Sequence, residues 1–323
     1  MISIKPKVIC IVGPTATGKS DLGVELALKF GGEVISADSM QVYRGMDIGT
    51  AKLTIDEMKG IPHHLIDIVD PFDRFTVAQW AQKADSVIQS LQYHNQLPIV
   101  VGGTGLYIRS ITEDLDFGAK SGSPKLREKW HAYLEQHGKE ALYAALCKVD
   151  QETANRLHPN DVRRIVRALE ICEMRDTPLS GTYDWSQRGG RYDTLQLGIQ
   201  IPRPLLYERV NRRVDKMMEQ GLLFEVRSLL EAGVQPDAQS MQAIGYKEIV
   251  SYLQDKMSLD AAVALIKQST RHFVKRQMSW FLRDDRIIWL NQHEIIQSGK
   301  SVLEAAEEKV KNFLAGISND AIE

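Results

Sequence analysis

The run Gly13-Pro14-Thr15-Ala16-Thr17-Gly18-Lys19-Ser20 carries residues that bind phosphate, at the G-x-x-x-x-G-K-S spacing. Its glycines let the backbone curl so that several N–H groups point at one anion. Lys19 can reach a terminal phosphate, and the Ser20 hydroxyl can ligand a magnesium ion. Two more polar side chains follow apolar runs of their own. Asp38 closes Gly32-Glu33-Val34-Ile35-Ser36-Ala37-Asp38-Ser39, and Thr104 follows Leu97-Pro98-Ile99-Val100-Val101-Gly102-Gly103. As a carboxylate on the rim of a phosphate site Asp38 reads as a functional residue. As an Asp before Ser it reads equally as a turn or helix cap.

These residues need elements that hold them together. Lys7 to Val12 is an apolar, β-branched run that leads into the glycine turn, and Asp21 to Leu28 continues with helical spacing. A strand, a glycine turn and a helix N-terminus in that order make a phosphate-binding loop. Gly32–Ser39 and Leu97–Gly102 read as second and third strands. In an open α/β sheet ligands gather beyond the C-terminal strand ends, which places Asp38 and Thr104 on the rim of the loop. Between them, residues 75 to 91 carry apolar residues at helical intervals. The loop Ile61-Pro62-His63-His64-Leu65-Ile66-Asp67 has adjacent histidines but no completing zinc ligand, so a structural or substrate-loop role is expected there.

Around Asp114 to Pro124 the pattern breaks into Gly, Ser, Asp and Pro, which marks an inserted module. From Lys125 to about Arg175 the periodicity is wholly helical, with Arg163 and Arg167 on one helix face. Residues 181 to 192 read as loop, and Thr194 to Ile201 alternates as a strand returning to the sheet. Helices are then expected from Pro204, over Leu223 to Ala232 with Gly233 as the stop, from about Gln242, over Leu259 to Phe281, and over Ser301 to Ile317. The long one carries Lys267, Arg271 and Lys275 four apart, and Arg276, Arg283 and Arg286 extend the cluster. No acidic residues at four-residue spacing lie within that stripe, which favours a phosphate-rich partner over a solvated face.

The expected fold class is therefore α/β: a P-loop NTPase-like parallel sheet core flanked by helices, with a helical insertion domain. Residues 1–115 and 196–323 are assigned to the core and 116–195 to the insertion. With 40 basic and 42 acidic residues the chain is not broadly cationic. Its three cysteines lie far apart and offer no disulfide framework or Cys-x-x-Cys site. No apolar run approaches a membrane span, so a cytoplasmic protein with no membrane partner is expected.

The ordered set of motifs resembles the tRNA dimethylallyltransferase family, the bacterial tRNA isopentenyltransferases, over nearly the whole chain. Its carriers are the phosphate loop, Ile35-Ser36-Ala37-Asp38-Ser39, Gly45-Met46-Asp47-Ile48-Gly49-Thr50-Ala51-Lys52, Pro62-His63-His64-Leu65-Ile66-Asp67 and Val101-Gly102-Gly103-Thr104-Gly105-Leu106-Tyr107. His158-Pro159-Asn160-Asp161, Arg167-Ala168-Leu169-Glu170, Ile244-Gly245-Tyr246 and Lys275-Arg276-Gln277 complete them.

The resemblance implies transfer of a dimethylallyl group from dimethylallyl diphosphate to N6 of the adenosine 3′ of the anticodon in tRNA, with magnesium required and diphosphate released. It implies catalytic roles for Asp38 as general base, Thr104, Lys19 and Arg213, the last in the arrangement Arg209…Arg213. Diphosphate would sit on Gly13, Pro14, Thr15, Ala16, Thr17, Gly18, Lys19 and Ser20, with Ser20 as the metal ligand.

The flipped adenosine and its neighbours would be held by Asp38, Ser39, Met40, Gln41 and Thr104, and by Gln242, Ala243, Ile244, Gly245, Tyr246 and Lys247. The anticodon arm would be gripped by Arg127, Arg163, Arg164 and Arg167, with Lys275, Arg276, Gln277 and Trp280. The chain lacks the cysteines of the C-terminal zinc finger that eukaryotic relatives carry, and a monomer is expected. Phe281-Leu282-Arg283 has a leucine where relatives often place arginine. A P-loop kinase of small acceptors, a prenyltransferase of free AMP or ADP, and a non-catalytic RNA switch are the alternatives. The basic C-terminal helix favours RNA over a free nucleotide.

Overall fold

Lys7–Val12 forms the central strand β1, and Val8 to Val12 are fully buried. Burial on both faces is what a parallel strand covered by helices requires, and it explains the uninterrupted apolar run. Gly18, at φ 88°, closes the turn after β1 and starts helix α1 (Lys19–Phe30). Strands β2 (Gly32–Ser36) and β3 (His63–His64) follow, then helix α2 (Val77–Tyr93). Thr76 and Gln79 close a reciprocal capping box at the start of α2. Strand β4 (Leu97–Gly102) leads into α3 (Gly105–Thr112).

The computed structural model describes residues 5–115, 122–175 and 189–317. The chain divides into two compact units, Met1–Asp114 with Gly190–Glu323, and Leu115–Gly189. The second unit contains helices α4 (Pro124–Val149), α5 (Gln151–Arg156) and α6 (Val162–Arg175). Their core includes Leu142, Leu146, Ala154, Ile165, Val166 and Leu169. The expectation of continuous helix there is corrected at two places. Gly138 leaves helical geometry at φ 80°, and α5 and α6 are separated by the turn around His158-Pro159-Asn160-Asp161.

The chain returns to the first unit in β5 (Asp193–Gln200), followed by α7 (Arg203–Glu219), α8 (Leu222–Glu231) and a short 3₁₀ turn at Ser240–Gln242. Helices α9 (Tyr246–Leu253) and α10 (Leu259–Phe281), strand β6 (Ile287–Asn291) and helices α11 (Gln292–Gln297) and α12 (Val302–Ala315) complete it. Because β5 begins at Asp193 and pairs with β1 from Lys7 onward, residues 190–195 belong with the sheet rather than with the insertion. The breaks expected at 114–124 and 181–192 fall largely outside the described residues.

Among the described residues the sheet runs β3-β2-β4-β1-β5-β6, with every pairing parallel. Two of these strands were not foreseen. His63–His64 is a two-residue edge strand paired with Val34 and Ile35, where His64 Nε2 meets Glu33 at 2.5 Å. That pairing supports the structural reading of the histidines. β6 pairs with β5 through five residues of mixed burial, too short and too irregular for a period-2 signal. No described helix is long and apolar enough to cross a membrane.

Candidate active site

The neighbours of β1 decide what the phosphate loop faces. Register pairs Val12 with Gly102, so the turn after β1 and the turn after β4 leave the sheet side by side. The β2 exit joins them because Gly102 has no side chain: a Cβ there would lie 2.2 Å from the Ala37 carbonyl oxygen. Thr104 N–H then donates to the Ala37 carbonyl at 3.1 Å, and the Thr104 hydroxyl accepts from Ser39 N–H at 3.1 Å. Beneath this junction Trp80 donates to the Ser36 carbonyl at 3.0 Å and stacks on Tyr107 at 4.4 Å. Three strand ends therefore converge on one rim, as the polar ends of the apolar runs suggested.

Lys19, Arg213 and Asp38 feel one another across this rim. Burial and the nearby Arg213 guanidinium push the Lys19 ammonium down to about 7, with Asp38 opposing the shift. Arg213, from α7, is likewise lowered by burial, against the pull of Asp38 and Asp21. Lys19 Nζ rests on the Pro14 carbonyl at 2.5 Å, and neither cation forms an ion pair with a carboxylate among the described residues. Two half-buried cations held close without a neutralising ion pair make a site for an anion with more than one negative charge.

Of the two readings its sequence context allowed for Asp38, the turn cap is seen directly. One oxygen, Oδ1, accepts from Met40 N–H at 2.8 Å and fixes the turn. The same carboxylate lies in the field of Lys19 and Arg213. Ser20 is the second residue of α1, and its side chain is partly exposed beside the loop. Among the described residues no group of three or more His, Cys, Asp or Glu is arranged to hold a metal. A magnesium ion carried by phosphate oxygens and water takes only one or two protein ligands, and the Ser20 hydroxyl fits that demand.

Several residues expected at the RNA have other partners. Gln277 is buried, with Oε1 accepting from Thr15 N–H at 3.0 Å and Nε2 donating to the Gly103 carbonyl at 3.0 Å. Gln41 Oε1 accepts from the Ser36 hydroxyl at 2.8 Å, and its amide reaches the Thr50 carbonyl. Tyr246 is fully buried and donates to Glu225 at 2.5 Å; within 242–247 only Gln242 and Lys247 are exposed. Gln242 itself donates to the Pro236 carbonyl.

The basic stripe is also thinner than its spacing implied. Lys267 pairs with Asp215 at 2.5 Å, and Arg271 donates to the Asn211 side-chain Oδ1 at 2.7 Å, both across to α7. Arg286 is held by Asp284 and Glu113. Lys275, Arg276 and Arg283 remain exposed, with Arg276 over the Phe273 ring. In the second unit Arg127 and Arg167 both bind the fully buried Glu170, which also accepts from Ser123 N–H at 2.6 Å. Burial raises the Glu170 pKa, but the two arginines and Ser123 outweigh it and hold the carboxyl low. Arg164 pairs with Asp161, and Arg163 is exposed.

Sequence reasoning missed Glu225. Its carboxylate accepts from Asp47 N–H at 2.8 Å, Ile48 N–H at 2.7 Å and Gly49 N–H at 3.1 Å, besides Tyr246. This clamps the Gly45–Lys52 loop to α8 and α9, and Gly49 is needed because a Cβ there would lie 2.4 Å from the Tyr246 ring. Lys52, nearly buried, ties the same loop to the Tyr43 carbonyl, Asp47 and Asp67. A lone Glu on a helix carries no spacing signal, so only the fold reveals the clamp.

The IPP transferase family model matches residues 41–284. This chain belongs to that family. The tRNA dimethylallyltransferase of Carboxydothermus hydrogenoformans is 48% identical over 316 residues, 97% of this chain and 98% of that protein. The tRNA dimethylallyltransferase of Caldanaerobacter subterraneus is 47% identical over 313 residues, 96% of this chain and 98% of that one.

Among solved structures, the tRNA isopentenylpyrophosphate transferase of Bacillus halodurans superposes with a TM-score of 0.69 at 39% identity, covering 97% of this chain and 96% of its own. A eukaryotic dimethylallyltransferase acting on tRNA superposes with a TM-score of 0.84 at 32% identity, covering 97% of this chain and 80% of its own. The parallel sheet is thus the P-loop NTPase-like core of the IPP transferase family. The phosphate loop and Asp38 precede the matched span, so their placement rests on the geometry and the full-length relatives.

Proposed function

We propose that this protein transfers the dimethylallyl group of dimethylallyl diphosphate to N6 of the adenosine 3′ of the anticodon in tRNA. The observation that carries the reading is the rim itself: Lys19 and Arg213 lie in each other's field and in that of Asp38, and among the described residues neither has a carboxylate ion pair. Membership of the IPP transferase family and the names of the relatives select a prenyl diphosphate over other phosphate donors.

The exocyclic adenine amine is a weak nucleophile, and Asp38 is the carboxylate placed to take its proton as N6 attacks the allylic carbon. Such general-base help is typically worth about 10²–10⁴-fold. The new N6–C bond forms as the C–O bond to diphosphate breaks, and the departing negative charge grows where Lys19, Arg213 and the loop N–H groups lie. The Ser20 hydroxyl would hold a magnesium ion together with the diphosphate, and when bound that ion would supply further neutralisation of the charge. Thr104 orients the Asp38–Ser39 turn through its hydroxyl bond to Ser39 N–H. The base must leave its stack to reach the rim, and Lys275, Arg276, Lys247 and Arg163 are among the exposed cations that can hold the RNA phosphates.

The test mixes the protein with magnesium, radiolabelled dimethylallyl diphosphate and unmodified tRNA carrying that adenosine, with AMP and ATP turnover followed in parallel. Label in tRNA is expected. Label only in AMP assigns a free-nucleotide prenyltransferase, and ATP consumption without label transfer assigns a kinase.

A further inference from the structure

Gln277 stands out because both ends of its carboxamide hold a different functional loop. The Thr15 N–H belongs to the phosphate loop and can only donate; the Gly103 carbonyl belongs to the turn that carries Thr104 and can only accept. An amide is the side chain that answers both at once, with Oε1 and Nε2 each at 3.0 Å. The residue is 6% exposed, and its side chain is seated directly against Gly103, where a Cβ would lie 2.1 Å from Nε2. One helical turn further along α10, the Trp280 indole lies against Gly105, where a Cβ would be 2.0 Å from its nitrogen. Residues three apart share a helix face, so α10 presses one face onto both sides of the rim.

We propose that Gln277 is a positioning residue for prenyl transfer: its carboxamide sets the gap between the diphosphate loop and the Thr104 turn. The proposal rests on the reaction assigned above and deepens it. The loop holds the leaving diphosphate, while the Thr104 turn holds the segment bearing Asp38, so the gap fixes the leaving group relative to the base. A misplacement of about 1 Å far from the chemistry is enough to cost about 10²-fold in rate.

The chemistry of the amide gives a test that a merely structural role would not pass. In Gln277→Leu both backbone partners lose their bonds. In Gln277→Glu the ionised carboxylate still accepts from Thr15 N–H but repels the Gly103 carbonyl. Once protonated it can donate to Gly103 and restore both bonds, and the buried, carbonyl-facing carboxyl is expected to protonate well above the usual range.

Steady-state transfer is measured for both variants between about pH 5.5 and pH 8, each normalised to wild type at the same pH, together with binding of inorganic diphosphate by calorimetry. At the upper pH both variants should lose about tenfold or more in kcat/KM for dimethylallyl diphosphate, with KM for tRNA within about twofold. Lowering the pH should restore Gln277→Glu about fivefold or more and leave Gln277→Leu flat. A pH response in Gln277→Glu no larger than in Gln277→Leu overturns the proposal, as does a loss confined to KM for tRNA, which would place the side chain on the RNA. Should Gln277→Leu fail to fold, the pH response of Gln277→Glu decides alone. Should wild type transfer no prenyl group, the reaction assignment fails, and the pH-dependent diphosphate affinity of Gln277→Glu still judges the positioning role.

Discussion

The depressed Lys19 ammonium makes diphosphate binding a proton-uptake event. In the free protein the group titrates at about 7 because burial and Arg213 disfavour its charge. At about pH 8 it is then about one-tenth protonated, and at about pH 6 about nine-tenths. Diphosphate brings the counter-charge that the rim lacks and draws the pKa back toward the ordinary lysine range. Binding at pH 8 should therefore take up about 0.9 proton at Lys19, and at pH 6 about 0.1. The sign follows from the charged form being the one the empty site disfavours. Diphosphate affinity consequently weakens up to about tenfold per pH unit above 7, until the bound-state pKa is passed. By the same linkage Lys19 disfavours the empty fold most below pH 7, and that penalty is relieved as pH rises toward the lysine range of about 10.4.

The assay is titration calorimetry with inorganic diphosphate and magnesium, in two buffers of different ionisation enthalpy, for wild type and for Lys19→Arg. Arginine stays charged throughout, and the ionisation of the ligand is common to both proteins, so the difference isolates Lys19. An uptake at pH 8 that is the same in the two proteins would refute the reasoning.

Four further outcomes are expected. Asp38→Asn keeps an acceptor for Met40 N–H and removes the base; single-turnover transfer should fall about 10²–10⁴-fold while filter-binding of tRNA changes little, and unchanged transfer would sink the base assignment. Glu225→Ala strips the acceptor from three backbone N–H groups and Tyr246, so urea unfolding should show a loss of about 2 kcal/mol or more. Lys275→Ala with Arg276→Ala should reduce the slope of log affinity for tRNA against log salt by about 2, whereas Lys267→Ala, whose ammonium is engaged by Asp215, should leave it nearly unchanged. Gly49→Ala places a methyl group against the Tyr246 ring; a melting temperature within a degree of wild type would show that the clamp yields freely.

The phosphate loop, its strand and its helix were legible because everything they need is contiguous: a β-branched run, a glycine at φ 88° and helical spacing from Lys19. The long helix Leu259–Phe281 was legible for the same reason, with Ser258 capping its start. Placing Asp38 and Thr104 on one rim needed only the rule that strand ends face the ligand, and the Gly102–Ala37 approach is how this chain meets it.

Which polar side chains remain available was not legible. A stripe at four-residue intervals announces a shared face, but its partners came from α7: the acid Asp215 opposite Lys267, and the neutral Asn211 side-chain Oδ1, sixty residues away, opposite Arg271. Arg127 and Arg167 looked like separate cations until Glu170 gathered both.

The sequence by itself determined the local chemistry: what the loop binds, where the strands end, which helices form, and, through its motifs, the family. Those properties depend on residues a few positions apart, where period, turn chemistry and capping act. Tertiary structure alone decided how the site is assembled. Gln277 joining Thr15 to Gly103, Glu225 clamping residues 47–49, and Arg213 brought beside Lys19 are all meetings of distant segments. The direction of a side chain is set by the partners that packing brings to it, and no spacing along the chain encodes that.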